Sequence, residues 1–155
     1  MERKSMTKRA ARNIGLLFAA ALAVPLITTT SAAASADTGG QTGIAGLCHA
    51  WECEGHWPDK MLCDQDAKTV KTASVQGISI HLRYSPSCRA AWGRISGGVP
   101  GDRVHVHSSD GSHFGRENGP GVTGTWTKMV DDANKVAWAC AHDLGTGQEA
   151  CTGKY

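Results

Sequence analysis

What this 155-residue chain lacks narrows it first. It has no G-x-S-x-G nucleophile elbow and no H-E-x-x-H zinc helix. "GPGVTG", Gly119 to Gly124, fits G-x-G-x-x-G, but it carries Pro120 and has no βαβ setting, so it reads as chance. Acidic neighbours such as Glu52 with Glu54, or Asp131 with Asp132, have nothing to set them apart from surface carboxylates. Beyond the N-terminal segment no stretch is apolar enough to span a bilayer. Internal repeats are absent and helical periodicity is slight. The sequence therefore offers no catalytic constellation, and no cofactor is expected.

A strong charge is missing too. The first 36 residues hold five of the 16 basic and one of the 14 acidic residues, which leaves residues 37–155 at a net charge of −2 with histidines neutral. Such a domain has no global field to draw it to nucleic acid or to an anionic membrane, and polyanion binding would need a local patch.

What is present begins with a secretory pattern. Arg3, Lys4, Lys8, Arg9 and Arg12 form a basic n-region, Ile14 to Ile27 an apolar h-region, and Ala34-Ser35-Ala36 a small-residue cleavage site. The S-x-x-K match Ser5 to Lys8 lies inside this segment. The apolar run holds Pro25 and falls short of the roughly 20 residues that a spanning helix needs. The expected organisation is a signal peptide at 1–36, a flexible Gly/Thr-rich lead-in at 37–47, and one disulfide-stapled domain at 48–155. The mature protein is expected outside the cell, with no stable membrane insertion and no nucleic-acid partner.

All six cysteines follow the leader, and an even number in an exported chain predicts three disulfides. Six cysteines allow 15 pairings, so spacing only ranks them. Cys53 with Cys63 would close a local loop, Cys88 with Cys140 would join two strands, and Cys48 with Cys151 would tie the domain's ends together.

The patterning is β-rich. "TVKTASV" and "ISIHLRY" flank a turn at Gln76-Gly77, and the second alternates Ile78, Ile80, Leu82 against Ser79, His81, Arg83. "AWGRIS" follows the Pro86 corner, with a bulge expected at Gly93 because Trp92 and Ile95 do not share a face. "RVHVH" alternates again. A polar loop over Ser108 to Gly121 precedes "TGTWTKMV" and "KVAWACA", read as a hairpin joined at 131–134. About six short strands predict an all-β antiparallel barrel or sandwich. The alternative is α+β, with a C-terminal helix near 129–141.

Three groups of side chains are candidates for function. "LRYSPSCRAAWGRI" supplies Arg83, Tyr84, Arg89 and Arg94, which suit an anionic or sugar-like ligand; the alternative is a disulfide-pinned corner whose arginines cap carbonyls. Trp51 and Trp57 sit by the first cysteines, either as a stacking platform or packed over a disulfide. His105 and His107, on one face of a strand, with His113 beyond, are weak metal candidates whose alternative is simple solvent exposure. His49 and His56 lie near cysteines that disulfides explain better than zinc.

The stretches "CEGHWPDKMLC", "LRYSPSCRAAWGRI", "TKMVDD" and "ACTGKY" resemble a family of small secreted domains of unknown function from actinomycete-type and other Gram-positive bacteria. The resemblance implies extracellular binding or sensing and brings no catalytic residues. It places Cys53, Cys63, Cys88 and Cys140 among the common cysteines, with Cys48 and Cys151 as an additional pair. Trp57 stands where relatives carry Asp before the loop proline. The resulting expectation is a secreted, non-catalytic module binding a cell-wall glycan or an extracellular protein. The alternatives are an inhibitor presenting the Cys53 to Cys63 loop, or a small metal-dependent hydrolase.

Overall fold

The structure, a computed structural model, describes residues 45–155; the expected signal peptide and most of the lead-in lie outside the described residues. Nine strands follow a 3-10 turn at Ala50–Cys53: β1 (Lys68–Val75), β2 (Ile78–Ser85), β3 (Ala90–Ser96), β4 (Arg103–Ser108), β5 (His113–Glu117), β6 (Gly124–Trp126), β7 (Val130–Asp131), β8 (Ala137–His142) and β9 (Glu149–Cys151). They form two antiparallel sheets. The first, sheet A, runs β1-β2-β3-β6, with β7 also on β3; the second, sheet B, runs β5-β4-β8-β9. The all-β expectation holds, and the form is an open sandwich rather than a closed barrel.

Local chemistry explains the first hairpin. Gln76 and Gly77 both take positive φ (46° and 84°), the backbone of a type I′ turn whose twist matches that of paired strands. Ile78, Ile80 and Leu82 then point inward with Val75, Ala91, Ile95 and Val130, while sheet B returns Val104, Val106, Ala137, Ala139 and Ala141. Branched side chains on β2 thus meet a row of alanines on β8, and large against small lets the layers interdigitate. Gly93 lies on this inner face where β4 comes close. A Cβ there would stand 2.9 Å from Val104 Cγ2 and 3.1 Å from the His105 carbonyl oxygen.

No bulge occurs at Gly93, where the β2–β3 register is unbroken; the irregularity sits in β1 between Thr69 and Lys71. Trp92 and Ile95 are both buried although they face opposite ways, because β3 is covered on both sides. Behind it lies a second small core of Cys53, Cys63, Cys88, Ala90, Trp92 and Met129.

The helix alternative at 129–141 is replaced by β7, a turn and β8, whose inward alanines alternate with Trp138, Cys140 and His142. Nor do 123–130 and 135–141 pair as a hairpin: β6 and β7 bond to β3, whereas β8 bonds to β4. The Asp131 carboxylate accepts from the Ala133 N–H and pairs with Lys135, turning the chain from one sheet to the other. β5 and β9 are strands where none was expected.

The three disulfides are Cys48–Cys53, Cys63–Cys88 and Cys140–Cys151, so each expected pairing is corrected. The 3-10 turn folds Cys53 back on Cys48, with Cα atoms 5.2 Å apart. Cys53 is thereby taken from Cys63, which meets Cys88 at the β2–β3 corner instead. Cys140 cannot reach Cys88, because it lies on the outer face of sheet B, directly opposite Cys151. That same register takes Cys151 from Cys48.

Candidate ligand-binding groove

The outer face of sheet A is built by register. His81, Arg94 and Trp126 lie in one row across β2, β3 and β6, and Arg83 and Trp92 lie in the next. The segment 54–66 folds over this face and is held by reciprocal bonds: the Gly55 N–H donates to the Met129 carbonyl and the Met129 N–H to the His56 carbonyl, both at 2.9 Å. Further bonds run from the Ala50 N–H to the Cys88 carbonyl and from the Leu47 N–H to the Met61 carbonyl. Between segment and sheet lies a groove of about 260 Å³. Arg83, Trp92, Arg94 and Trp126 make its floor, and Pro58, Asp59 and Asp64 its wall. A second hollow of about 320 Å³ adjoins it, sharing Asp59 and Trp126 and adding Trp57, Lys60 and Arg116.

Arg83 serves the corner as well as the groove. Its guanidinium donates to Thr69 Oγ1 (3.0 Å) and to the Ala67 carbonyl (2.9 Å). Burial and the charge of Arg94 lower its pKa, with Asp64 opposing them. Burial, with Arg94 and Arg83 beside it, lowers the pKa of His81, so the row's imidazole is neutral at neutral pH. Asp66 closes the turn by accepting from Ser85 Oγ (2.5 Å) and the Ser87 N–H (2.8 Å). Burial alone would raise the Asp66 pKa, but these bonds outweigh it and the net shift is downward.

The structure divides the sequence candidates. Arg83 and Arg94 line the groove, and Trp57 lines the adjoining hollow. Trp51, 72% exposed on the 3-10 turn, lines neither. Tyr84 and Arg89 belong to the far corner, where Tyr84 packs on Tyr155 at 5.3 Å and Arg89 donates to Asn134 Oδ1 at 3.4 Å. Asp132 sits there too. Burial and the neighbouring Asp131 push its pKa up to about 7 against the pull of Arg89, and its Oδ1 has no hydrogen-bond partner among the described residues. Trp126, Arg116, Asp59 and Asp64 went unnoticed in the sequence. Only cross-strand register, which pairs Arg94 with Trp126, could have pointed to the first of these.

Sheet B presents a different outer face. His113, His107 and Trp138 stand in register across β5, β4 and β8, with near-parallel rings 6.0 and 5.3 Å apart, and His105 lies 6.3 Å from His107. Burial lowers the pKa of both His105 and His107. Among the described residues no histidine nitrogen belongs to a convergent set of three ligand atoms; the sets that do converge contain disulfide cysteines. A bonded sulfur is no thiolate, so these make poor metal sites.

Two sheets packed on an alanine-lined core, with a disulfide-held roof over a groove on one outer face, define a small β-sandwich domain whose candidate site is a cleft. The chain belongs to the family described as "protein of unknown function (DUF2690)", which matches residues 51–140. No curated protein and no solved structure matches it. The matched span holds the groove residues, whereas Cys48 and Cys151 lie outside it, each bonded to a cysteine within.

Proposed function

We propose that the protein is an exported, non-catalytic binding module whose ligand, a cell-wall glycan or another extracellular polymer, lies in the groove on sheet A. The observation that carries this reading is the row of Arg94 and Trp126 beside Arg83 and Trp92, roofed by a segment that the Cys63–Cys88 disulfide and the backbone hydrogen bonds of Gly55, His56 and Met61 hold in place. An indole floor with guanidinium donors at its edge suits a sugar, whose apolar ring face stacks while its oxygens accept. Three disulfides agree with an oxidising compartment, and no helix among the described residues is long and apolar enough to cross a membrane.

Cosedimentation with purified peptidoglycan and other insoluble polysaccharides tests the reading. Saturable pelleting that survives a chelator and is lost in Trp126→Ala supports it. Pelleting on no matrix, or pelleting unchanged in both Trp126→Ala and Arg94→Ala, rejects the groove as the site.

A further inference from the structure

We infer that the groove and its neighbouring hollow together read a polymer carrying an oxyanion, carboxylate or phosphodiester, on successive units. The inference rests on the groove being a binding site and goes on to name its ligand chemistry. Its basis is the placement of two guanidinium groups around one exposed indole. Arg94 is paired in register with Trp126 and lines the groove. Arg116 comes from the other sheet: it pairs with Val104, so it projects on the inner side of the edge strand β5, past the end of the core, and meets Trp126 from the other side.

Arg116 lies against two indoles. Its guanidinium carbon lies 4.8 Å from the centre of Trp57 and 5.6 Å from that of Trp126, and Lys128 Nζ lies 5.8 Å from Trp57. Indole faces attract a cation without taking up its hydrogen bonds. The five N–H donors of the guanidinium are left for another partner. No carboxylate supplies one: among the described residues neither Arg94, Arg116 nor Lys128 has a carboxylate oxygen within 4.0 Å. Glu117, next along β5, is already bonded to Arg103 at 3.1 Å. A guanidinium held between aromatic neighbours and free of carboxylate partners is organised in advance for a bidentate oxyanion. Arg94 and Arg116, on either side of Trp126, thus offer two such positions with a stacking surface between them. Asp59 and Asp64 on the wall would turn away a ligand of uniform, dense negative charge, which favours anions spaced by neutral rings or polyols.

Titration of the oxidised chain by tryptophan fluorescence tests this, with polygalacturonate as the carboxylate probe, a poly(glycerol phosphate) as the phosphodiester probe and dextran as the neutral one. The expected result is saturable binding to one polyanion, weakening about tenfold between 50 and 200 mM salt as counterions are released. Arg94→Gln and Arg116→Gln should each weaken it by about tenfold. Arg89→Gln, at the far corner, should leave it unchanged. Arg116→Lys keeps the charge without the planar fork and should recover only part of the affinity; it also serves if Arg116→Gln lowers the melting midpoint. Dextran bound as well as the polyanions and without salt dependence would overturn the anion inference while leaving the groove in place. Wild-type affinity in both Gln variants would do the same. Binding to none of the three, together with no pelleting on walls, would reject both readings.

Discussion

The two outer faces of this sandwich are made by the same alternation and end up unlike. On sheet A, outward Trp92 is 3% exposed, because the segment 54–66 and two disulfides cover it. On sheet B, outward His107 and Trp138 are covered only in part by each other and by Lys154, whose Nζ lies 4.8 Å from the indole. Period-two patterning decides which side chains leave the core. Whether they then meet water or a second layer depends on a segment that has no periodicity.

Substitution at the two tryptophans should show the contrast most strongly. Trp92→Ala removes a buried side chain from the second core and should cost about 4 kcal/mol in denaturant unfolding. Trp138→Ala should cost under about 1 kcal/mol. Equal losses would mean that the faces are energetically alike. The disulfides extend the comparison. Cys63–Cys88 closes 25 residues and Cys140–Cys151 closes 11, so replacing each pair by alanine should cost about 3.5 and about 2.8 kcal/mol in the chain-entropy account. The first pair should lose more, since both its cysteines are buried under the roof.

The corner between the faces should give a pH signature. The pKa of Asp132 is raised from 3.8 to about 7, so the folded state holds a proton that the unfolded state releases. This group's contribution is therefore present at low pH and is lost as pH climbs from about 4 to about 7, on the order of 4 kcal/mol in all. Urea midpoints across that range should fall in the wild type, and Asp132→Asn should flatten the profile. The smallest effect is expected at His107, where alanine should shift stability by no more than about 0.5 kcal/mol and a chelator should leave the melting midpoint where it was. A chelator-sensitive midpoint would return His105, His107 and His113 to consideration as ligands.

The legible parts of the fold were those where one short segment carried the whole signal. The β1–β2 hairpin could be read because turn and alternation lie within 18 residues, Lys68 to Ser85. β5 and β9 could not, since an edge strand such as "HFGRE" is mostly exposed and need not alternate in hydrophobicity. The disulfides were misread because end-to-end closure looked attractive on spacing, whereas the sandwich sets Cys88 and Cys140 on opposite outer faces. At the groove, Arg83 and Arg94 were recognisable as outward residues of well-patterned strands. Trp126 and Arg116 belong to short or edge strands, and their meeting is a product of topology that no local window contains.

The disulfides have a consequence for how the chain comes to be oxidised. In order along the sequence they join first to second, third to fourth and fifth to sixth cysteine. For a chain threading out of a membrane pore N-terminus first, the correct partner of each waiting thiol is the next one to emerge. An oxidase that links thiols in order of arrival would leave the native set, with no wrong bond to reshuffle.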